Sequence, residues 1–373
     1  MPAINPVLEA QLAEHDDPAT FQVYADWLLE NGERWGEVIN RAIRNADTGP
    51  DQERAEDEIL DDGNLGDDEA EITWRNGIVE TFELTPENSE DDYDGAKAMA
   101  AVLRRLLAHP AGRLVRSVTL GLPPAVPGDV AWNFDALLAA IGESGPLPRL
   151  AILDLSRDAE HMDQPSWRRV GDLGALWKAA PRLRELHLQG ARGSDPGVPV
   201  RFGAVEAPWL EKLVFKSGGL DRDAPESIGR ASLPRLRHLE LWFGSDEYGN
   251  TCTIDALAGI LGGEGLPAIE TLALRNSPWE TELVVALAGA PVVRRLRRLD
   301  LSMGILSRDG AAALAANAAA FRHLEAIDLD DNFVLDDDAG PLLAALPNVV
   351  LGAQREPDGD IDDEYSRYPS VTE

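Results

Sequence analysis

Cys252 is the only cysteine in this sequence. The chain therefore forms no intramolecular disulfide and builds no zinc cage from thiolates. Basic residues are also scarce. Lys and Arg number 34 against 66 Asp and Glu, a formal net charge of -32. A surface that acidic repels phosphate, which argues against nucleic-acid backbone contacts and against docking on anionic membranes. It favours solubility and fast encounter with basic partners. No stretch approaches the roughly 20 apolar residues of a membrane span. Met1 to Glu9 lack the basic and apolar regions of a secretory signal. The expected location is cytoplasmic and reducing.

Catalytic signatures are missing as well. There is no phosphate-cradling Gly-rich loop, no Gly-x-Ser-x-Gly elbow and no His-Glu-x-x-His. Paired carboxylates are abundant, but in so acidic a chain they mark nothing. The expectation is a protein that is not an enzyme and uses no cofactor and no metal.

What is present is a repeat. Leu296-Arg-Arg-Leu299-Asp-Leu301 and Leu236-Arg-His-Leu239-Glu-Leu241 share the pattern apolar-x-x-apolar-x-apolar. It reads as a short strand burying one face. Copies start at Val79, Val115, Leu150, Leu183, Leu210, Leu236, Ile269, Leu296, Leu324 and Leu346. The intervals are roughly 22 to 36 residues, near the long leucine-rich-repeat period. Apolar helical stripes lie between many copies: Ala98, Val102 and Leu106; Leu137, Leu138 and Ile141; Leu173, Leu176 and Trp177; Ile254, Leu257 and Leu261; Leu283 and Leu287; the alanine-rich run Ala311 to Ala320, capped at Ser307; and Leu342, Leu343 and Leu346. The short intervals Leu183 to Leu210 and Leu210 to Leu236 leave room for a turn or a single helical turn.

The first 46 residues read as three helices. Ile4, Leu8 and Leu12 share a face; Asp16-Asp17-Pro18 starts a second helix with the stripe Phe21, Tyr24, Ala25 and Leu28, stopped at Asn31-Gly32; Val38, Ile39, Ala42 and Ile43 form a third stripe. So small a bundle is expected to dock on the chain beyond it. Residues 47–71 are acidic and read as a solvated linker, with Ile59, Leu60 and Leu65 available as anchors. Ile72 to Trp74, Arg75-Asn76-Gly77 and Ile78 to Leu84 suggest a hairpin opening the array, residues 72–352. Residues 353–373 read as a loosely attached acidic tail.

Two stretches carry resemblances. Asp17, Tyr24-Ala25-Asp26-Trp27-Leu28, Glu30, Gly32 and Gly36-Glu37 resemble the bacterial repeat-companion domain, whose core is Tyr-Ala-Asp-Trp-Leu-x-Glu-x-Gly followed by Gly-Glu. That domain typically precedes leucine-rich repeats. Where the family usually has Arg-Leu before the Tyr, this chain has Phe21 and Gln22. From Val79 to Leu351 the chain resembles the long leucine-rich repeats. The two resemblances imply an α/β architecture: a small helical domain, then a curved solenoid with parallel strands on the concave face and helices on the convex face. They imply no catalytic residues.

Alternation selects the residues that face outward from the strands. Trp242, Arg275 and Arg298 fall on neighbouring copies and form the expected anchor, because Trp and Arg dominate binding hot spots. The alternative for Trp242 is burial under the loop Gly244 to Thr253. Glu185, His187, Lys212, His238 and Glu240 complete the expected partner surface with Asp300, Asp328 and Asp330. These acids, with Asp154, would steer a partner bearing a basic patch. His187 and His238 lie two copies apart, too far to share a metal. Cys252 has no base close in sequence and reads as a packed thiol. Asp328-Leu-Asp330-Asp-Asn332 spaces its oxygens like a calcium loop, but Phe333 replaces the required Gly and Ala339 the required Glu. Asp358-Gly-Asp360-Ile-Asp362 repeats the spacing without that glycine.

The expected function is a non-catalytic scaffold or adaptor binding another protein. Readings from other classes are a substrate-recognition subunit, an enzyme using Cys252 or a carboxylate pair in a loop, and an inhibitor or immunity protein for a basic enzyme. A cluster of strongly perturbed titratable groups would favour the enzymatic readings.

Overall fold

Prolines and caps set the first helices. Asn5 and Asp17 accept hydrogen bonds from the opening turns of α1 (Pro6–Glu14) and α2 (Pro18–Glu30), each with Pro at its start. Gly32, at φ +83°, ends α2, and α3 (Trp35–Ile43) comes next. A computed structural model describes residues 4–61, 70–85, 95–121, 132–157, 168–190, 200–359 and 366–371. The Leu65 anchor, the loop residues 191–199 and the aspartates of 360–362 lie outside them. The chain divides into two compact units, Met1–His161 with Gly171–Leu186, and Met162–Val170 with His187–Glu373.

Residues 49–60 differ from the solvated linker expected there. They form α4 (Gly49–Leu60), which buries Ala55 and Ile59. Glu56 accepts the Trp74 indole N–H at 2.6 Å, and the Ile59 carbonyl accepts the Arg105 Nε–H at 2.8 Å. Two anchors to residues far along the chain thus overcome a poor composition.

The first unit holds the helical region and the first repeats. Phe21, Tyr24, Ala25 and Leu28 of α2 bury their side chains with Leu12, Ile39, Ile78 and Leu114. The helices therefore share a core with the array. β1 (Ala70–Arg75) and β2 (Ile78–Leu84) form the expected hairpin, with Asn76 and Gly77 both at positive φ. Gly77 also lets α3 approach closely. An added Cβ would lie 3.0 Å from the Ile39 Cα, and the Trp35 indole donates to the Gly77 carbonyl at 2.7 Å. Parallel strands β3 (Ser117–Gly121) and β4 (Ile152–Arg157) extend the sheet, then the start of β5 (Glu185–Gln189). Between strands lie α5 (Gly95–Ala108), α6 (Asp135–Glu143) and α7 (Leu176–Ala179), which bury the expected stripes, except that the buried Leu173 precedes the single turn of α7 rather than lying on it.

Two buried arginines tie the helices to the repeats. Arg113 meets Glu9 at 3.1 Å and also donates to the Ser144 and Pro146 carbonyls. Arg149 donates to Asp16, Glu80 and the Leu114 carbonyl.

The second unit holds parallel strands β6 (Lys212–Lys216), β7 (His238–Trp242), β8 (Thr271–Arg275), β9 (Arg298–Asp300), β10 (Ala326–Asp328) and β11 (Val349–Val350) in sequential order. Leu213, Leu239, Leu272, Leu299 and Ile327 lie in one register and are all buried. One repeat cannot cover its apolar face alone; stacked copies share the core.

The connections vary more than the strands. The interval Leu210 to Leu236 carries α8 (Asp223–Arg230), two turns rather than one, burying Ala224 and Ile228. Ile254 and Leu257 lie on a 3-10 turn that leads into α9 (Ala258–Gly262), and Leu283 and Leu287 on α10 (Thr281–Ala288). The alanine-rich run divides at Asn317 into α11 (Arg308–Ala316) and α12 (Ala318–Phe321). Ser307 does not cap α11 with its own hydroxyl. Its N–H and hydroxyl both turn to the Glu280 carboxylate. In α13 (Asp336–Ala345) Leu342 is buried, whereas Leu343 is exposed.

Loop chemistry fixes the strand ends. Asn332 is fully buried. Its amide donates to the Leu301 and Leu329 carbonyls at 2.9 and 3.1 Å, and its oxygen accepts the Leu306 N–H at 3.0 Å. Two other copies have Gly218 and Gly244 at the corresponding loop. An added Cβ on Gly244 would lie 1.7 Å from the Gly218 carbonyl oxygen, so main chain meets main chain where no side chain fits.

The segment Ser366–Val371 departs from the expected loose tail. Arg367 reaches Glu280 at 2.9 Å and Ser307 Oγ at 2.7 Å, and the Val371 N–H donates to Asn276 Oδ1 at 2.9 Å. A mostly buried ion pair and backbone bonds dock it, with Pro369 buried among them. No helix among the described residues is long and apolar enough to cross a membrane.

Candidate functional site

Strand register decides which outward residues meet. One row of the second unit runs Lys212, His238, Thr271, Arg298, Ala326, and the next runs Val214, Glu240, Ala273, Asp300, Asp328. Trp242 pairs with Arg275 in a third row. The expected anchor of three therefore separates. Trp242 and Arg275 are adjacent, while Arg298 stands opposite Thr271, largely exposed and 4.0 Å from Glu325.

Trp242 is half-buried. Its indole N–H donates to Glu240 Oε1 at 2.7 Å. The Arg275 guanidinium lies 4.9 Å from the ring centroid and the Lys216 ammonium 5.7 Å, both within cation–π range. Arg275 is itself fixed by Glu240 at 3.3 Å, Asp300 at 3.5 Å and Ser302 Oγ at 2.8 Å, with Met303 Sδ at 3.0 Å. His238 Nε2 lies 3.2 Å from Glu240 Oε2. The loop after Trp242 makes backbone bonds to Gly218 and Leu220 of the preceding repeat.

Burial pushes the Glu240 carboxyl up, but the hydrogen bonds from His238 and Trp242 and the charges of Arg275 and His238 outweigh it and hold it down to about 2. Asp300 moves the opposite way. Burial raises it, only partly offset by Ser302 and Arg275, and the Asp328 charge adds to the rise. The two carboxylates thus bracket buried Ala273 with opposite tendencies.

Several expected steering acids hold the backbone. Asp154, Asp300 and Asp328 each accept the N–H two residues on, from Ser156 at 2.7 Å, Ser302 at 2.9 Å and Asp330 at 2.9 Å. These are side-chain turns that close the strand. Asp330 accepts the Ala353 N–H at 2.7 Å. Glu185 belongs to the first unit and His187 to the second. Cys252 is buried, and burial pushes its thiol up, away from the reactive thiolate.

Lys216 and Met303 join this site without having been expected in it. Alternation makes Lys216 an outward position, two residues after Val214, but nothing in the sequence points it at Trp242. Met303 lies past the strand, where alternation no longer applies.

No family model matches the chain, and no curated protein matches it. Among solved structures, the chain is similar to a Bacteroides fragilis protein determined by structural genomics. The identity is 20%, the TM-score is 0.61, and the match covers 77% of each chain. That likeness is one of fold, and it fits a repeating α/β architecture.

Proposed function

We propose that the chain is a bacterial leucine-rich-repeat protein with an N-terminal repeat-companion domain, acting as a non-catalytic scaffold that binds another protein. The partner presents a basic patch to the strand-lined face of the second unit. Trp242 is the anchor, and the overall charge of -32 supplies the steering. The observation that carries this reading is the half-exposed Trp242, held in one orientation by Glu240 and Arg275. A fixed aromatic anchor loses little entropy on binding.

The titratable cluster bears on the enzymatic reading. A general base works best with a pKa near the operating pH. Glu240, held down to about 2, is an anion near neutral pH instead, which supports an ion-paired platform. The test is affinity capture from native lysate with the wild-type chain beside Trp242→Ala. A protein retained by the first and lost from the second is the expected result; equal retention removes the anchor. Its association rate should fall as salt rises, and a salt-independent rate removes the steering.

A further inference from the structure

Asn276, Met303 and Asp331 occupy the same place in three successive repeats, one residue beyond the outward row of Arg275, Ser302 and Asp330. All three hold left-handed backbone, at φ 53°, 65° and 57°. Met rarely adopts that conformation, so its recurrence here marks a shaped backbone rather than a tolerant residue. Ser366–Val371 runs across these positions. Asn276 grips both polar groups of the Val371 backbone, accepting its N–H at 2.9 Å and donating to its carbonyl at 2.5 Å. Ser370 donates its N–H to the Met303 carbonyl at 2.9 Å, and its hydroxyl donates to Asp331.

At the other end, Arg367 enters an acceptor pocket. One guanidinium nitrogen meets Glu280 at 2.9 Å, Ser307 Oγ at 2.7 Å and the Ile305 carbonyl at 3.2 Å. Glu280 is preset for a cation, because the Ser307 N–H and hydroxyl already fix its other oxygen. The fit is imperfect. The Arg367 side chain is 10% exposed and its Nε has no hydrogen-bond partner. A buried donor left unmade weakens the seating.

Backbone grips at one end and a cation pocket at the other are how extended peptides are read. We propose that this seat is a docking site for an extended segment of a partner protein with an Arg four residues before a small aliphatic residue, and that Ser366–Val371 occupies it as a built-in competitor. The seat grips its segment with different atoms from those that hold Trp242, so either proposal can fail alone. Tethering gives the resident segment a high effective concentration despite its imperfect fit. Displacement therefore requires a better-matched arginine or a weakened tether.

The probe is a fluorescein-labelled peptide of residues 366–373, titrated by anisotropy into the full chain. Arg367→Ala in the chain weakens the resident segment and should tighten peptide binding at least about tenfold over wild type. Ser370→Pro, which removes the N–H donated to Met303, should do the same and serves if the first variant melts early. Adding Asn276→Ala should abolish the gain, and a peptide with its arginine replaced by alanine should bind at least about tenfold more weakly. Equal peptide binding by wild type and both folded opening variants overturns the proposal.

Discussion

The Trp242 indole donates to Glu240 Oε1 at 2.7 Å while Arg275, 3.3 Å from that same oxygen, covers the ring. One carboxylate oxygen therefore orients both the aromatic and the cation. Trp242→Phe keeps a ring for Arg275 but removes the donor. It should destabilise the chain by about 1 kcal/mol, read from urea midpoints. Trp242→Ala should cost more, because Arg275 and Lys216 lose their shared face.

Glu240 also predicts a pH dependence. Its folded-state pKa lies below its ordinary 4.5, at about 2. The stability it contributes is fully present above 4.5 and is lost as pH falls toward 2. That gap corresponds to about 3 kcal/mol. Comparing wild type with Glu240→Gln by urea denaturation, the difference should be largest above about pH 5 and close by about pH 2. A difference that stays constant across that range would show that the ion pairs contribute nothing.

Arg113 and Glu9 test how the helical region is held to the first repeats. Their side chains are 4% and 1% exposed and meet at 3.1 Å. Removing one partner strands the other as a buried charge. Arg113→Met or Glu9→Leu alone should cost roughly 3–5 kcal/mol, while the double variant should recover much of it. Denaturant melts of the three variants read this directly.

Leu239 and Leu299 show what the sequence makes legible. Apolar spacing alone aligns their copies, and Leu239, Leu272 and Leu299 do share one register. Alternation is local, so it survives without knowledge of the loops. Arg298 shows the limit. Belonging to the next copy says nothing about which row a residue joins, and an offset along the strand moves it away from Trp242. Asp300 and Asp328 read as free surface charge until the turns they close are seen. Residues 49–60 and Arg367 were illegible for one shared reason. Each is held by polar contacts with residues far along the chain, Glu56 with Trp74 and Arg367 with Glu280, and composition carries no trace of such partners.

Asn332 gives the sharpest stability test. It is fully buried, its amide group donates to the Leu301, Leu329 and Asp330 carbonyls, and its oxygen accepts the Leu306 N–H. Asn332→Ala removes the donor to the Leu301 carbonyl and the acceptor for the Leu306 N–H, at roughly 1–3 kcal/mol for each one that water cannot reach, while the Leu329 carbonyl keeps its bond from the Gln354 amide at 2.8 Å. Asn332→Asp keeps the acceptor for Leu306 but replaces the donor with an anion facing the Leu301 and Leu329 carbonyls. It should therefore be at least as damaging as alanine near neutral pH, and should improve relative to alanine as acid protonates the carboxyl. Thermal melts of both variants across pH distinguish a loop that needs a donor from one that needs only a side chain to fill it.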